Sequence, residues 1–235
     1  KSVVEKLKIL FVSVEVSPYA KVGGLADVAG SLPQSLKAMG HDVKIAMPAY
    51  RMVEEDPAYK CKSVVKDVHV QINPSWSKLA YVKQTMNGKV PVLLIGTDEW
   101  FTETDRSERI YLPGVDQYLF FSRAILESLK QMDWIPDVIH CNDWHTGFIP
   151  VMMRESNDVT WAHVASVFTI HNLAYQGEFG PAVLDRAGLS RDLFTYDKLE
   201  TYGMVNFLKS GCAYSDQVNT VSPTYAREIQ TAEFG

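Results

Sequence analysis

The sequence predicts an α/β domain with a doubly wound, mainly parallel sheet of Rossmann-like type. Three observations carry that prediction. Lys8–Val14 is a continuous apolar run, as expected of a strand covered on both faces, and Val43–Met47, Asp137–His140 and Ser166–Ile170 read as further short strands. Segments of helical period lie between them, and several of the strands run out into clusters of polar residues.

Taken in order, Lys8–Val14 is the first strand. Leu25, Val28, Ala29, Leu32, Leu36 and Met39 then recur at helical spacing, with Gly40 as the stop. Pro33 falls inside this helix and should kink it or mark a first turn. Val43–Met47, closed by Pro48, completes a right-handed βαβ unit. Val64–Ile72 and Leu79–Met86 alternate polar and apolar residues, and Asn87-Gly88 leads into Val90–Gly96. That pattern predicts hairpins extending the sheet in antiparallel or mixed fashion. Asp116–Met132 reads as a helix, Asp137–His140 and Ser166–Ile170 as strands, Leu199–Ala213 as a helix, and Gln217–Val221 as the last strand. Ser222-Pro223 supplies an N-cap and an N1 proline to a closing helix. Residues 1–235 thus form one domain, and the end at Gly235 reads as a boundary between domains.

With 235 residues, 46% of them hydrophobic, the chain has material for one substantial core. The net charge of −5 offers no basic surplus for a nucleic acid backbone, whereas a neutral polysaccharide or a single nucleotide is compatible. No stretch approaches the roughly 18 apolar residues of a membrane span, and the start shows no signal-peptide core. Three widely spaced cysteines, Cys61, Cys141 and Cys212, fit a reducing, cytoplasmic setting better than a disulfide framework.

In an open parallel sheet, ligands bind beyond the carboxyl ends of the strands. Here the first strand leads to Glu15 and to Lys21-Val22-Gly23-Gly24-Leu25-Ala26-Asp27. A helix start with free N–H groups and a neighbouring lysine suits a diphosphate. On spacing alone the glycine pair is equally a tight turn and Asp27 a first-turn carboxylate. The segment has neither the dinucleotide-binding glycine pattern nor a P-loop. Two further strands lead to Asn142-Asp143-Trp144-His145 and to His171-Asn172 with Tyr175-Gln176. His140 reads as a satisfied core histidine and Cys141 as buried filler. His140, Cys141, Asp143 and His145 are rich in metal-ligand types, but adjacent strand residues face opposite ways, so no metal is expected.

Lys21–Asp27 resembles the N-terminal signature of bacterial glycogen synthases and plant starch synthases. The likeness continues through Phe121-Ser122-Arg123-Ala124, His140–Gly147, Thr169–Gly177, Asn206–Lys209 and Asn219–Ala226. The resemblance implies one half of a two-domain GT-B glycosyltransferase that moves glucose from ADP-glucose to the non-reducing end of an α-1,4-glucan (glycogen or starch), with retention and without a cofactor. The setting it implies is the cytoplasm, or the plastid for a plant protein.

Residue by residue, it implies that Lys21, Gly23 and Gly24 serve the donor diphosphate. Asp143 and His171 are the expected catalytic pair at the transferred glucose. Asp27, His145, Asn172, Tyr175, Gln176, Asn219 and Thr220 are expected to contact sugar or glucan, with His145 orienting Asp143. The stretch Arg109–Gly114 is shorter and differently ordered than in the family, so the resemblance assigns no aromatic acceptor contact there and Tyr111 stands only as a candidate for one. The nucleotide-sugar domain of the family is absent from this chain, and the donor base, ADP or UDP, stays open. A non-catalytic glucan- or nucleotide-binding module is the alternative of another class.

Overall fold

The computed structural model describes residues 5–234; the first four residues and Gly235 lie outside them. The elements run β1 (Lys8–Val12), α1 (Gly24–Ala38), β2 (Asp42–Pro48), α2 (Arg51–Glu54), β3 (Lys62–Asn73), β4 (Trp76–Asn87), β5 (Val90–Gly96), α3 (Asp116–Gln131) and β6 (Val138–Asn142). They continue with α4 (Phe148–Glu155), β7 (Ala165–Ile170), β8 (Glu178–Phe179), α5 (Val183–Ala187), β9 (Glu200–Thr201), β10 (Met204–Asn206), α6 (Phe207–Tyr214), β11 (Gln217–Thr220) and α7 (Pro223–Glu228).

The main sheet has eight strands in the order β11-β7-β6-β1-β2-β5-β4-β3. Strands β11 to β5 of that order pair in parallel, and β4 and β3 add antiparallel to one edge. The chain builds outward from β1 to β2 and β5, then returns to the other side of β1 with β6, β7 and β11. The order therefore reverses between β1 and β6, and a crevice opens beyond their carboxyl ends. Leu10, Phe11 and Val12 on β1 are fully buried, as a strand covered on both faces requires. Each such side chain contributes about 1.5–3 kcal/mol by leaving water.

The predicted strands, α1, α3 and the antiparallel extension are all present, and Ser222 caps α7 by accepting the Tyr225 N–H at 3.0 Å. One local expectation is narrowed and two are corrected. Pro33 lies in the interior of α1, not in its first turn. The β4–β5 turn is centred on Gly88-Lys89: Asn87 still pairs with Val90 in the ladder, and only Gly88 has a positive φ, at 57°. Asn87 instead reaches α1, donating to the Gly30 carbonyl at 3.3 Å. The helix expected over Leu199–Ala213 begins only at Phe207. Before it, β9 and β10 form a hairpin through Tyr202 and Gly203, both at positive φ (50° and 80°), as a type I′ turn demands. Asn206 then caps α6 by accepting the Lys209 N–H. A short polar hairpin followed by a capped helix looks from sequence like one amphipathic segment.

Candidate active site

Glu15 lies just beyond β1 and is 4% exposed. Its Oε1 accepts the N–H groups of Val22 (2.7 Å) and Gly23 (2.8 Å), and the Tyr111 hydroxyl donates to Oε2. Gly23 is the N-cap position of α1, which has no side-chain cap of its own. The anion favoured at this helix start is therefore the protein's own carboxylate. This corrects the expectation for Gly23, whose N–H is already taken. Gly24 remains at the mouth of the helix and lines the crevice. Burial and the Glu15 hydrogen bond push the Tyr111 hydroxyl far above its ordinary pKa, so it stays a proton donor.

Lys21 does not enter the crevice. Its Nζ pairs with Asp27 Oδ1 at 2.7 Å, both side chains being more than half exposed, and its N–H donates to Ser107 Oγ. Neither Lys21 nor Asp27 lines the cavity. An exposed pair of this kind contributes less than about 1 kcal/mol and opens readily.

Asp143 follows β6 with φ 59° and ψ 175°, a backbone region that side chains other than glycine rarely occupy. Its Oδ1 accepts the N–H groups of His171 (2.7 Å) and Asn172 (3.4 Å), which fastens the end of β7 to the end of β6. Burial raises the Asp143 carboxyl to about 6; the two N–H groups oppose the shift and the neighbouring Glu15 charge adds to it. The His171 ring donates from Nε2 to Asn142 Oδ1 over 2.9 Å, and burial lowers its pKa to about 4. Asn172 folds its Oδ1 back onto the Ala174 N–H, while the Tyr175 side chain is 67% exposed at the rim.

His145 lines the crevice but makes no hydrogen bond to Asp143 among the described residues. It stacks on Trp144 with ring centroids 4.1 Å apart, with Tyr118 and Tyr111 against it, and its Nδ1 is buried without a partner. Burial holds its pKa at about 3, so the ring is neutral. It is packing, not hydrogen bonding, that ties it to the site.

Three more expected contacts move out of the crevice. Gln176 is used by the protein itself: its Oε1 accepts from Asn206 Nδ2 (2.6 Å) and its Nε2 donates to the Leu173 carbonyl. Asn219 accepts the Thr169 hydroxyl at 2.5 Å and the Thr220 hydroxyl donates to the Ile170 carbonyl at 2.6 Å, so both hold β11 on β7. His140 is satisfied in the core by Thr169 Oγ1 at 2.6 Å, and Cys141 is fully buried. Among the described residues no three His, Cys, Asp or Glu side chains converge as a metal site would require, and no helix is long and apolar enough to cross a membrane.

The crevice holds about 750 Å³, bounded by Glu15, Gly23, Gly24, Tyr111, Asp143, His145, His171, Asn172 and Tyr175, with Val22, Leu25, Val28, Trp144 and Val221 as apolar wall. Glu15 is the residue that sequence reasoning left out of the site. Its signal was a carboxylate at the end of a buried strand, nine residues before the glycine that starts α1.

A doubly wound sheet with a crevice at its switch point, closed by loops from β1, β6 and β7, defines a Rossmann-like domain of the GT-B type. The chain belongs to the starch synthase catalytic domain family, whose model matches residues 8–235. It is 44% identical to a glycogen synthase of Thermotoga maritima over 97% of its own length, and 43% identical to one of Geotalea daltonii over the same share. It spans about half (48%) of each of these relatives. The catalytic domain of starch synthase IV from Arabidopsis thaliana, bound to ADP and acarbose, superposes with a TM-score of 0.88 at 31% identity, covering 98% of this chain and 48% of that one.

Proposed function

We propose that this chain is the acceptor-side, N-terminal domain of a retaining glucosyltransferase that transfers glucose from ADP-glucose to the non-reducing end of an α-1,4-glucan. The observation that carries the reading is the convergence of Asp143, His171 and Asn172 at the switch point, on a fold whose solved relative is bound to ADP and acarbose. In this reading Asp143 Oδ2, which has no protein partner among the described residues, takes a hydroxyl of the transferred glucose, and the ring of His171 takes another. Positioning of this kind converts an encounter into a near-attack arrangement. Asn172 and Tyr175 bound the glucan side, and Tyr111 presents its aromatic face there.

The leaving diphosphate needs positive charge that grows in effect as its own charge develops. The crevice wall carries two carboxylates, Glu15 and Asp143, and no lysine or arginine among its described residues. Lys21, released from Asp27, and the Gly24 N–H supply part of that charge. The remainder has to come from a second domain facing this one, which agrees with the chain spanning half of its relatives. Both oxygens of Glu15 are engaged by hydrogen bonds, and Asp143 Oδ2 is given to a sugar hydroxyl, so in this reading neither carboxylate serves as a nucleophile and the acceptor hydroxyl attacks from the face that the diphosphate leaves. A cytoplasmic setting, or a plastid in a plant, fits Cys61, Cys141 and Cys212 all being free thiols.

The test is transfer of radiolabelled glucose from ADP-glucose to glycogen, by the isolated chain and by an enzyme that joins it to a second domain. The two-domain enzyme is expected to turn over and to make α-linkages, with UDP-glucose competing weakly. The isolated chain is expected to be inactive. Sustained turnover by the isolated chain above ~1 per second would overturn the half-site reading, and glucan binding without transfer by the two-domain enzyme would overturn the catalytic one.

A further inference from the structure

Asn142 is wholly buried at the end of β6, and both ends of its amide are engaged. Its Nδ2 donates to the Val12 carbonyl on the adjacent β1 at 2.9 Å, with a longer contact to the His140 carbonyl at 3.4 Å. A backbone carbonyl can only accept. Turning the amide over would set two oxygens face to face, so the amide orientation is determined by β1. Oδ1 is consequently the atom 2.9 Å from His171 Nε2, and an oxygen acceptor at that distance requires the hydrogen on Nε2. A neutral imidazole with its hydrogen on Nε2 has a lone pair on Nδ1.

Two features keep the ring in this state. The Asp143 carboxylate holds the His171 main chain through its N–H, and the Thr146 hydroxyl donates to the Asn142 carbonyl at 2.9 Å, so neither partner can swing away. Burial opposes a second proton on the ring, and Glu15 is the charged group that acts in the other direction. His171 Nδ1 has no hydrogen-bond partner among the described residues, nor is it one of their buried, unpaired atoms, and the residue lines the crevice.

We propose that Asn142 is a positioning residue that locks His171 in the Nε2–H tautomer, so that its Nδ1 lone pair is presented to the crevice as an acceptor for a ligand hydroxyl. His171 then orients a sugar and does not act as an acid. The identity of that hydroxyl as a sugar's rests on the glucosyltransferase reading, whereas the tautomer lock does not.

The experiment is two-bond proton–nitrogen correlation spectroscopy of the intact protein labelled with ¹⁵N-histidine, with the His171 signals assigned by their loss in His171→Gln. Near neutral pH the expected spectrum has a pyrrole-type Nε2 and a pyridine-type Nδ1. A pyridine-type Nε2, or two averaged nitrogens, would overturn the lock. Asn142→Asp keeps an acceptor at Nε2 and adds a charge, so half-protonation of His171 should shift upward by at least about one pH unit, a tenfold gain in proton affinity. No shift in a folded Asn142→Asp protein would also overturn it. If that variant fails to fold, the wild-type spectrum alone decides.

Adding maltotriose with ADP should move the Nδ1 resonance away from its free pyridine-type position. An unmoved Nδ1 in protein shown to bind both probes would overturn the acceptor role. Glucose transfer is assayed separately, so an inactive enzyme with the Nε2–H tautomer would count against the glucosyltransferase reading and for the lock.

Discussion

Replacing Asp143 by asparagine should make the protein more stable and less active. The carboxyl is 8% exposed and its pKa rises from 3.8 to about 6, chiefly by burial. A difference of about two units corresponds to at most about 3 kcal/mol at 1.36 kcal/mol per unit. Relaxation at the crevice wall reduces this to about 1–2 kcal/mol, or roughly 2–8 °C in melting temperature for a chain of this size. Asparagine preserves what holds the loop: its Oδ1 still accepts the His171 N–H, and it tolerates the positive φ as aspartate does.

The sign of the pH dependence follows from the raised pKa. Because the folded state holds the proton more tightly, the stability linked to this group is fully present below pH 3.8 and is lost as pH rises through about 6. The advantage of Asp143→Asn should be nil near pH 4, grow between pH 4 and 6, and then level off. Thermal melts of both proteins from pH 4 to 8 test this, with specific activity measured on the same samples. Turnover is expected to fall by roughly 10²-fold, since a positioned charge is lost where charge develops. A variant that melts below wild type at pH 8, or whose advantage does not vary with pH, would refute the burial argument. A variant with unchanged turnover would remove Asp143 from the site.

Lys21→Ala should lower transfer by roughly 10²-fold in the two-domain enzyme while leaving the melting temperature unchanged, because its ion pair with Asp27 is exposed; Lys21→Arg should restore only part. Activity within twofold of wild type would make the lysine a surface residue. Gly177→Ala should cost more than about 2 kcal/mol, since φ is +66° and the new Cβ would lie 2.3 Å from Trp144 Cε3; an unaltered melt would show that the 171–177 loop can shift. Acid should unfold the protein through its neutral imidazoles. His140, His145 and His171 have folded pKa values of about 4, 3 and 4 against 6.5 unfolded, so their stability is present above pH 6.5 and is lost as pH falls through those values. His145→Gln should flatten the acid limb of the melting profile, and an identical limb would show that His145 is not a contributor.

The sheet was legible because buried parallel strands carry an unmistakable apolar pattern, and because their polar exits at Glu15, Asn142 and His171 fall on one rim by topology alone. What the sequence could not convey was how those exits are wired to one another. Nothing in local pattern shows that the Glu15 carboxylate closes the start of α1, or that Asn142 spends its amide between Val12 and His171, since both depend on contacts between distant strands. Gln176, Asn219 and Thr220 lie outside the crevice lining for the converse reason. They stand in segments that resemble the family, yet their polar atoms bond Asn206, Thr169 and Ile170, and a motif does not tell a residue that touches ligand from one that holds its neighbour. The β9–β10 hairpin was hidden because Tyr202 and Gly203 reverse the chain within a stretch whose apolar residues also fit a helix.

The places where local preference and final structure disagree are not scattered. Asp143 adopts a glycine-type backbone, its carboxyl is buried without a cation, and His145 beside it leaves Nδ1 unbonded, all within one loop after β6. Backbone strain of this kind costs of order 1–3 kcal/mol and an unpaired buried polar atom about the same. The surrounding structure holds the loop in place: Thr169 accepts the Asp143 N–H, Thr146 bonds back to the Asn142 and Asp143 carbonyls, and Trp144 packs under Gly177. A fold maintained only for its own stability would shed such features through single substitutions, Asp143→Gly for the backbone or Asp143→Asn for the charge. Their concentration at the rim where the sheet order reverses is the pattern expected where a fold gives up local stability to position groups for chemistry.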